Sequence, residues 1–421
     1  MSSNYVIDKQ TLTDNLTSLA SIGALPEGGV TRLAFSPEEA ELQRRVASWL
    51  TELGGQVRYD AIGNLIARWP GEDDSLPAVA FGSHLDSVPQ GGNYDGIVGV
   101  VAAVAAVRTI RQHNLTTRHP LEVIAFVSEE SSRFGVATLG SKVMAGLGDA
   151  KRWLSRTDAA GITMQAAASQ RGARLTEIAS ARRQPEDFKA FLELHIEQGR
   201  VLEEADNKIG VVTAIAAPTR WQITIEGRAD HSGATPMALR RDALAAAAEV
   251  ILAVEHHGWT ESPHQSVATI GVLSLKPGAM NVIPGQVELG LDVRGVDADS
   301  IQRVVNNIRH DLDSISRKRK VQIAVQELTA DQPVELDETV ISTIETVCEK
   351  LAVPYMLMPS GAGHDAMNMA KLTPTGLIFI PCKDGISHNP AEEASIDDIA
   401  LGAEVLLHTI LKLAHGNQGG E

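Results

Sequence analysis

The chain has 421 residues, 43% of them hydrophobic, and a formal net charge of −16 at pH 7; that length is too great for one ordinary core and points to two domains. The acidic balance disfavours nucleic acid and anionic membrane as partners, no apolar run approaches the roughly 20 residues that span a bilayer, and the start Met1-Ser2-Ser3-Asn4 lacks the basic and apolar regions of a signal peptide, so a cytoplasmic location is expected. Only Cys348 and Cys382 occur, which excludes a disulfide scaffold and leaves His, Asp and Glu as metal-ligand types.

Ser36-Pro37-Glu38-Glu39 is a capping box with Pro at the first helical position, and Leu42, Val46, Trp49, Leu50 and Leu53 follow at helical spacing until Gly54-Gly55. Residues 57–69 read as two strands around Gly63. Ala78-Val79-Ala80-Phe81, bounded by Pro77 and Gly82, is a short apolar run of the kind that forms buried parallel strands. It leads into Gly82-Ser83-His84-Leu85-Asp86 and on to Gly91-Gly92-Asn93-Tyr94-Asp95-Gly96. Open α/β sheets place their ligands at the carboxyl ends of strands, so His84 is expected there. Asp95 precedes an apolar run, 96–104, that reads as a buried helix with Asp95 as its acidic cap, facing back toward His84. Alone, this stretch serves equally well as a capped helix behind a polar loop.

Later strands shift that balance. Residues 121–127 form another apolar strand, ending in Ser128-Glu129-Glu130-Ser131. The segment 149–184, rich in Ala, Arg and Ser, reads as helical surface. Residues 191–196 are a third strand, alternating so that Glu193, His195 and Glu197 share a face. From 220 to 328 the order is strand (221–226), helix (240–255), strand (266–275), strand (287–294), helix (300–315) and strand (321–326), the βαββαβ order of a ferredoxin-like sandwich. An α/β pattern then resumes with a helix at 337–351, a strand at 375–380, an amphipathic helix at 396–414 and a Gly-rich end at 416–420. The expected fold is α/β: a discontinuous catalytic domain, 1–214 and 330–421, with a mainly parallel sheet, and an inserted ferredoxin-like lid, 215–329.

The candidates collected from strand ends and loops are His84, Asp86, Asp95, Glu129, Glu130, His195 and His388. Such an N/O donor set suits Zn²⁺ or Mn²⁺. Two ions about 3.5 to 4 Å apart need a bridging carboxylate and further ligands for each. Asp95 as bridge, His84 and His195 on one ion, and Glu130 and His388 on the other meet that need. Asp86 would fix the tautomer of His84, and Glu129, left over, is placed to act as a general base.

These residues resemble the metallopeptidase family M20. Gly-Gly-Asn-Tyr-Asp-Gly at 91–96, Glu-Leu-His-Ile-Glu-Gln-Gly at 193–199 and Ser-Gly-Ala-Gly-His-Asp-Ala at 360–366 resemble its amidohydrolase branch, which holds N-carbamoyl-L-amino acid hydrolases, β-ureidopropionases and allantoate amidohydrolases. The resemblance covers nearly the whole chain. One departure is Ser131, where the branch has Gly.

The resemblance implies a small anionic ureido or amide substrate, two divalent ions per subunit (zinc or manganese, with cobalt or nickel as alternatives), and a homodimer formed through the lid. It implies hydrolysis of an N-carbamoyl-L-amino acid to the amino acid, ammonia and carbon dioxide, with Glu129 moving the proton, and allantoate amidohydrolase or β-ureidopropionase activity is the close alternative. It also carries over His231 for the oxyanion, Arg294 for a substrate carboxylate, and Asn281, Gln198, Gly361 and His364 as substrate contacts. By themselves, Arg294 on the face of Asp292 reads as a surface ion pair, and His231 as an ordinary loop histidine. An aminoacylase or dipeptidase is the more distant reading, because such members commonly carry Asp or Glu where His195 stands. A non-catalytic metal-dependent binding protein would be expected to lack Glu129.

Overall fold

The computed structural model describes residues 5–415; the Gly-rich end at 416–420 and the first four residues lie outside them. The chain divides into two units, Met1–Thr213 with Leu336–Glu421 and Ala214–Glu335.

In the first unit the strands lie in the order Gln56–Tyr59, Leu65–Trp69, Leu121–Phe126, Ala78–His84, Phe188–Ile196, Thr375–Ile380, Ile209–Ile215. The centre is parallel: Ala78–His84 pairs with Leu121–Phe126 on one side and Phe188–Ile196 on the other, and the latter pairs with Thr375–Ile380. Antiparallel pairs flank this centre. Strands covered on both faces must be apolar on both, and Ala78–His84, Leu121–Phe126 and Thr375–Ile380 are buried at every position. Helices Ile97–Gln112 and Ile396–His415 pack on each other and on the sheet.

Parallel strands bring their carboxyl ends to one edge. His84 closes its strand opposite Phe126, so Ser128, Glu129 and Glu130 follow immediately beside it, and His195 stands opposite Phe379. The cap expected of Asp95 is not made. Gly96 is the N-cap at φ 69 with no side-chain cap, and a Cβ there would overlap the His84 ring. The glycine therefore starts the helix against the imidazole and leaves the Asp95 carboxylate to other partners.

Segment 149–184 departs from a plain helical surface. It forms helices Ala150–Leu154 and Met164–Gln170 and a 3₁₀ turn Leu175–Ala181. Met164, Ala167, Ala168 and Ala181 are buried with Phe35, Phe134 and Leu139 in a small core of their own.

The second unit has the βαββαβ order, and its sheet runs Gln322–Ala330, Ala217–Glu226, Gln286–Gly295, Val267–Lys276, all antiparallel. Alternate residues Val287, Leu289, Leu291 and Val293 face helices Ala243–Glu261 and Ala298–Arg319 in one core with Trp221. The edge strand Val267–Lys276 exposes Val267, Val272 and Leu273, and the helix Ala243–Glu261 exposes Leu252 and Trp259. Among the described residues no helix is long and apolar enough to cross a membrane.

Gly99 lets helix Ile97–Gln112 approach the sheet closely: an added Cβ would meet the Leu194 carbonyl and the Ser83 side chain. Helix propensity alone favours alanine by about 1 kcal/mol, whereas overpacking in a fitted core costs about 1 to 3 kcal/mol, and a backbone oxygen cannot swing away. Gly99→Ala should therefore lower Tm in thermal unfolding. An unchanged or higher Tm would contradict this packing.

Candidate metal centre

Asp95 lies between two groups of donors. Its Oδ1 is 3.0 Å from His195 Nε2 and 3.8 Å from His84 Nε2. Its Oδ2 is 3.0 Å from His388 Nε2, which is 3.1 Å from Glu130 Oε1. Within each group, His84, Asp95 and His195 or Asp95, Glu130 and His388, the ligand atoms all lie within 4.8 Å of one another. The two groups share only Asp95. Glu129 belongs to neither, with Oε2 4.0 Å from His84 Nε2.

Backbone contacts aim these side chains. His84 Nδ1 lies 3.1 Å from the Asp86 carbonyl and His195 Nδ1 lies 2.8 Å from the Ile196 carbonyl, so each ring donates from Nδ1 and turns its Nε2 inward. The tautomer of His84 is thus fixed by the carbonyl of residue 86 rather than by its carboxylate, which is 3.7 Å from Nδ1. The Asp86 carboxylate instead holds the neighbouring turn, its Oδ1 and Oδ2 accepting the amide N–H groups of Glu129 and Glu130, both at 3.0 Å. Ser128 just before them has φ 54, and this break in the strand lets two successive glutamates reach one centre. Ser131 is not among the left-handed residues, so its backbone does not demand the glycine usual there.

Gln198 is drawn into the centre, its Nε2 donating to Asp95 Oδ2 at 3.3 Å and to Ser387 Oγ at 3.1 Å. His364 packs edge-on against His195, with ring centroids 4.5 Å apart, and its Nε2 is 2.9 Å from Ser360 Oγ. Gly361 sits on the exposed turn before it. In the second unit, His231 and Asn281 come together: Asp230–His231 pairs with Val282–Ile283, and the Asn281 carbonyl accepts from Ser232 N. His231 Nδ1 accepts from Gly233 N and Ala234 N, which leaves the proton on an exposed Nε2. Arg294 does not join them. It lies at the opposite end of strand Gln286–Gly295, paired in register with Pro218 and Val267, and its guanidinium holds Asp292 at 3.1 Å.

Three buried glutamates at the site are not among the candidates collected from the sequence. Glu392 Oε1 accepts from Tyr94 N and Asp95 N at 2.9 and 3.0 Å, and Oε2 from Ser387 Oγ at 2.9 Å and His388 N at 3.3 Å. It ties the bridging carboxylate to the His388 loop. Glu193 joins Ser83 Oγ (2.6 Å) to Ala366 N (2.9 Å) beneath His195 and His364. Glu39, on the helix Pro37–Glu52, is fully enclosed and faces the Ser128 turn. The available signals were position only: Glu392 four residues after His388, and Glu193 on the strand face of His195.

Charge crowding shows what the centre is fitted for. Burial, then Glu130, Asp365, Asp86 and Asp95, pushes the Glu129 carboxyl well above the usual range. Burial and the Glu39 charge do the same to Asp86, and burial with Glu193 to Asp365. Burial lowers His84 to about 4 and holds His364 well down, so both rings are neutral. Burial also opposes a proton on His195, yet Asp95 outweighs it and raises the ring to about 9, while hydrogen bonds to Asp95 and Glu130 raise His388 to about 10. A divalent ion reverses this logic, favouring ionised carboxylates and neutral imidazoles together. The imidazole and carboxylate donors, without sulfur, fit zinc or manganese chemistry.

A family model described as Peptidase family M20/M25/M40 matches residues 80–412. The chain is 43% identical over 411 residues to the N-carbamoyl-L-amino acid amidohydrolase of Geobacillus stearothermophilus, covering 98% of this chain and 100% of that one. It is 40% identical over 417 residues to the ureidoglycolate hydrolase of Oryza sativa subsp. japonica, covering 98% and 86%. Among solved structures, an amidase of the hydantoinase/carbamoylase family from Burkholderia multivorans matches with a TM-score of 0.90 at 36% identity, covering 98% of this chain and 100% of that one.

The two raised imidazoles set a pH dependence. In metal-free protein both are protonated at neutral pH, which stabilises that fold below the ordinary imidazole value of 6.5; the contribution is lost as pH rises through about 9 for His195 and about 10 for His388. A divalent ion taking either Nε2 must displace that proton. Zn²⁺ affinity of the metal-free protein should therefore rise with pH up to about 9, and the calorimetric heat of binding should vary with the ionisation enthalpy of the buffer. A buffer-independent heat would contradict the assignment.

Proposed function

We propose, from the premise that the chain belongs to peptidase family M20/M25/M40 and is a hydrolase of C–N bonds other than peptide bonds, that it cleaves the ureido C–N bond of an N-carbamoyl-L-amino acid. One water is consumed, and the products are the L-amino acid, ammonia and carbon dioxide. The observation that carries this reading is the Asp95 carboxylate between two donor groups with Glu129 beside them and in neither.

His84 and His195 would hold one divalent ion and Glu130 and His388 a second, with Asp95 between them; the ions are zinc or manganese, with cobalt or nickel as alternatives. Bound there, such ions supply Lewis acidity toward the substrate carbonyl and make a water easier to ionise. Glu129 accepts the proton of the attacking water and passes it to the leaving nitrogen. His231, with Nε2–H outward, stabilises the oxyanion. Arg294, at the other end of its strand from His231, would meet the same small substrate from a different copy of the chain; there it pairs with the substrate carboxylate, and Gln198, Asn281, Gly361 and His364 complete the substrate contacts.

The second unit serves as lid and as dimer interface. The apolar side chains on its edge strand and helix, Leu252, Trp259, Val267, Val272 and Leu273, support pairing with a second copy, which would also cover the unpaired strand edge. A cytoplasmic location accords with a small-molecule substrate. Another ureido acid, such as allantoate or ureidoglycolate, is the second reading, favoured by the likeness to the rice enzyme.

Ammonia release from N-carbamoyl-L-amino acids, a β-ureido acid, allantoate, ureidoglycolate, acylated amino acids and dipeptides, with Zn²⁺ or Mn²⁺ added, tests the substrate class. Fastest turnover of an N-carbamoyl-L-amino acid is expected, and a preference for dipeptides would sink the proposal. Glu129→Gln should keep its metal and lose about 10² to 10⁴ in kcat; retained activity would remove Glu129 as the base. Arg294→Ala should raise KM by about tenfold or more, ~1.4 kcal/mol, for the free carboxylate but not for the matching substrate amide, whereas an unchanged preference would refute the anchor. Sedimentation velocity should show a dimer, and a monomer would refute the interface.

A further inference from the structure

The turn bearing Glu129 and Glu130 is held through nearly every backbone polar group. The carbonyls of Val127, Ser128 and Glu129 accept from Gly140, Leu139 and Thr138 at 3.0, 2.9 and 2.7 Å. The amides of Glu129 and Glu130 are taken by Asp86. The remaining amide, that of Ser128, is directed at the carboxyl of Glu39, though it stops short of full hydrogen-bond geometry. Oε2 of the same carboxyl accepts from Phe35 N at 2.5 Å. Phe35 and Ser128 are both left-handed, at φ 56 and φ 54, so one carboxyl spans two backbone positions that side-chain-bearing residues seldom adopt.

A glutamate three residues past the N-cap ordinarily reaches back to the amide of the N-cap residue. Here the Ser36 amide is taken by the Leu33 carbonyl at 2.9 Å, and Glu39 passes over it to a residue before the helix and to a strand end distant in sequence. Helix capping does not call for a carboxyl 2% exposed and facing a second acid, Asp86. Such a carboxyl is costly to bury, and it faces the one residue whose conformation decides where Glu129 points.

We propose that Glu39 is a positioning residue for the reaction: its carboxyl keeps Ser128 left-handed and so aims Glu129 at the centre. The inference rests on the reading of Glu129 as the base. Without the carboxyl, Ser128 relaxes toward ordinary strand geometry, in which neighbouring side chains point to opposite faces. The Glu130 carboxylate stays anchored by His388 at 3.1 Å, whereas that of Glu129 stands 4.0 Å from His84, so Glu129 is the one that swings. Metal retention and substrate affinity survive, while proton transfer suffers.

The test compares Glu39→Ala and Glu39→Gln with Glu129→Gln, measuring kcat, KM and metal content of the loaded enzyme, and hydrogen exchange of the 127–131 amides in metal-free protein. Glu39→Ala should lower kcat about 100-fold, leave KM and metal content unchanged, and speed exchange in 127–131 while the central strands stay protected. Glu39→Gln keeps one acceptor oxygen and should recover part of kcat. The proposal is overturned if Glu39→Ala keeps its kcat, if Glu39→Gln is no better than Glu39→Ala, if the loss comes with metal release, or if exchange in 127–131 does not change. An active Glu129→Gln would instead overturn the reading of the base; an inactive one beside a fully active Glu39→Ala would overturn this inference alone.

Discussion

The Asp95 carboxylate has to face two sets of donors at once, and much of the first unit is arranged to let it. A helix cap would have consumed one of its oxygens. Gly96 takes the cap position instead, with a backbone conformation and a missing Cβ that leave room for the His84 ring. Glu392 accepts the Tyr94 and Asp95 amides with one oxygen and grips the His388 loop with the other. Parallel strands then deliver His84, His195 and the Glu129-Glu130 pair to a common edge, where each imidazole is turned by a carbonyl on its own strand end.

Charge decides between a structural ion-pair cluster and a metal centre. Asp86, Asp95, Glu129, Glu130, Glu193 and Asp365 are all buried, and three of the four imidazoles nearby, those of His84, His195 and His388, stand within 4 Å of these carboxylates. His84 is held neutral and only His195 and His388 are pushed toward the charged form, which leaves an excess of acid. Burying an uncompensated carboxylate costs several kcal/mol even after relaxation, so a purely structural role would favour apolar replacements. Divalent ions would balance the excess, and the donor types present are those such ions take. Positioning by buried acids is the second use of the same crowding: Asp86, Glu392 and Glu193 each accept backbone amides next to a site residue.

Much of this was legible in the sequence because it is carried by apolar runs that end abruptly in polar groups. The strands before His84, Glu129 and His195 are continuous hydrophobic segments, and the βαββαβ order of the second unit follows from alternation and helical spacing. Contacts that depend on backbone conformation were not legible. Ser128, Gln198 and His388 are all left-handed, and nothing in a serine, a glutamine or a histidine announces that. Asp95 has the pattern of a cap because acid before an apolar helix is the usual cap signal, and only the positive φ of Gly96 separates the two outcomes. Glu39 has the pattern of half a capping box for the same reason. Arg294 and His231 were grouped by resemblance, yet within their unit the strand Gln286–Gly295 keeps them at opposite ends. Segment 149–184 passes for surface in sequence because its short helices bury mostly alanines, which give little periodic contrast.

The central claim is that Asp95 stands between two divalent ions. Anomalous diffraction from crystals grown with excess Zn²⁺ and recorded at the zinc edge tests it most directly. The account predicts two peaks about 3.5 to 4 Å apart, one against His84 and His195 and one against Glu130 and His388, with Asp95 between them. A single peak, or peaks away from Asp95, would contradict it.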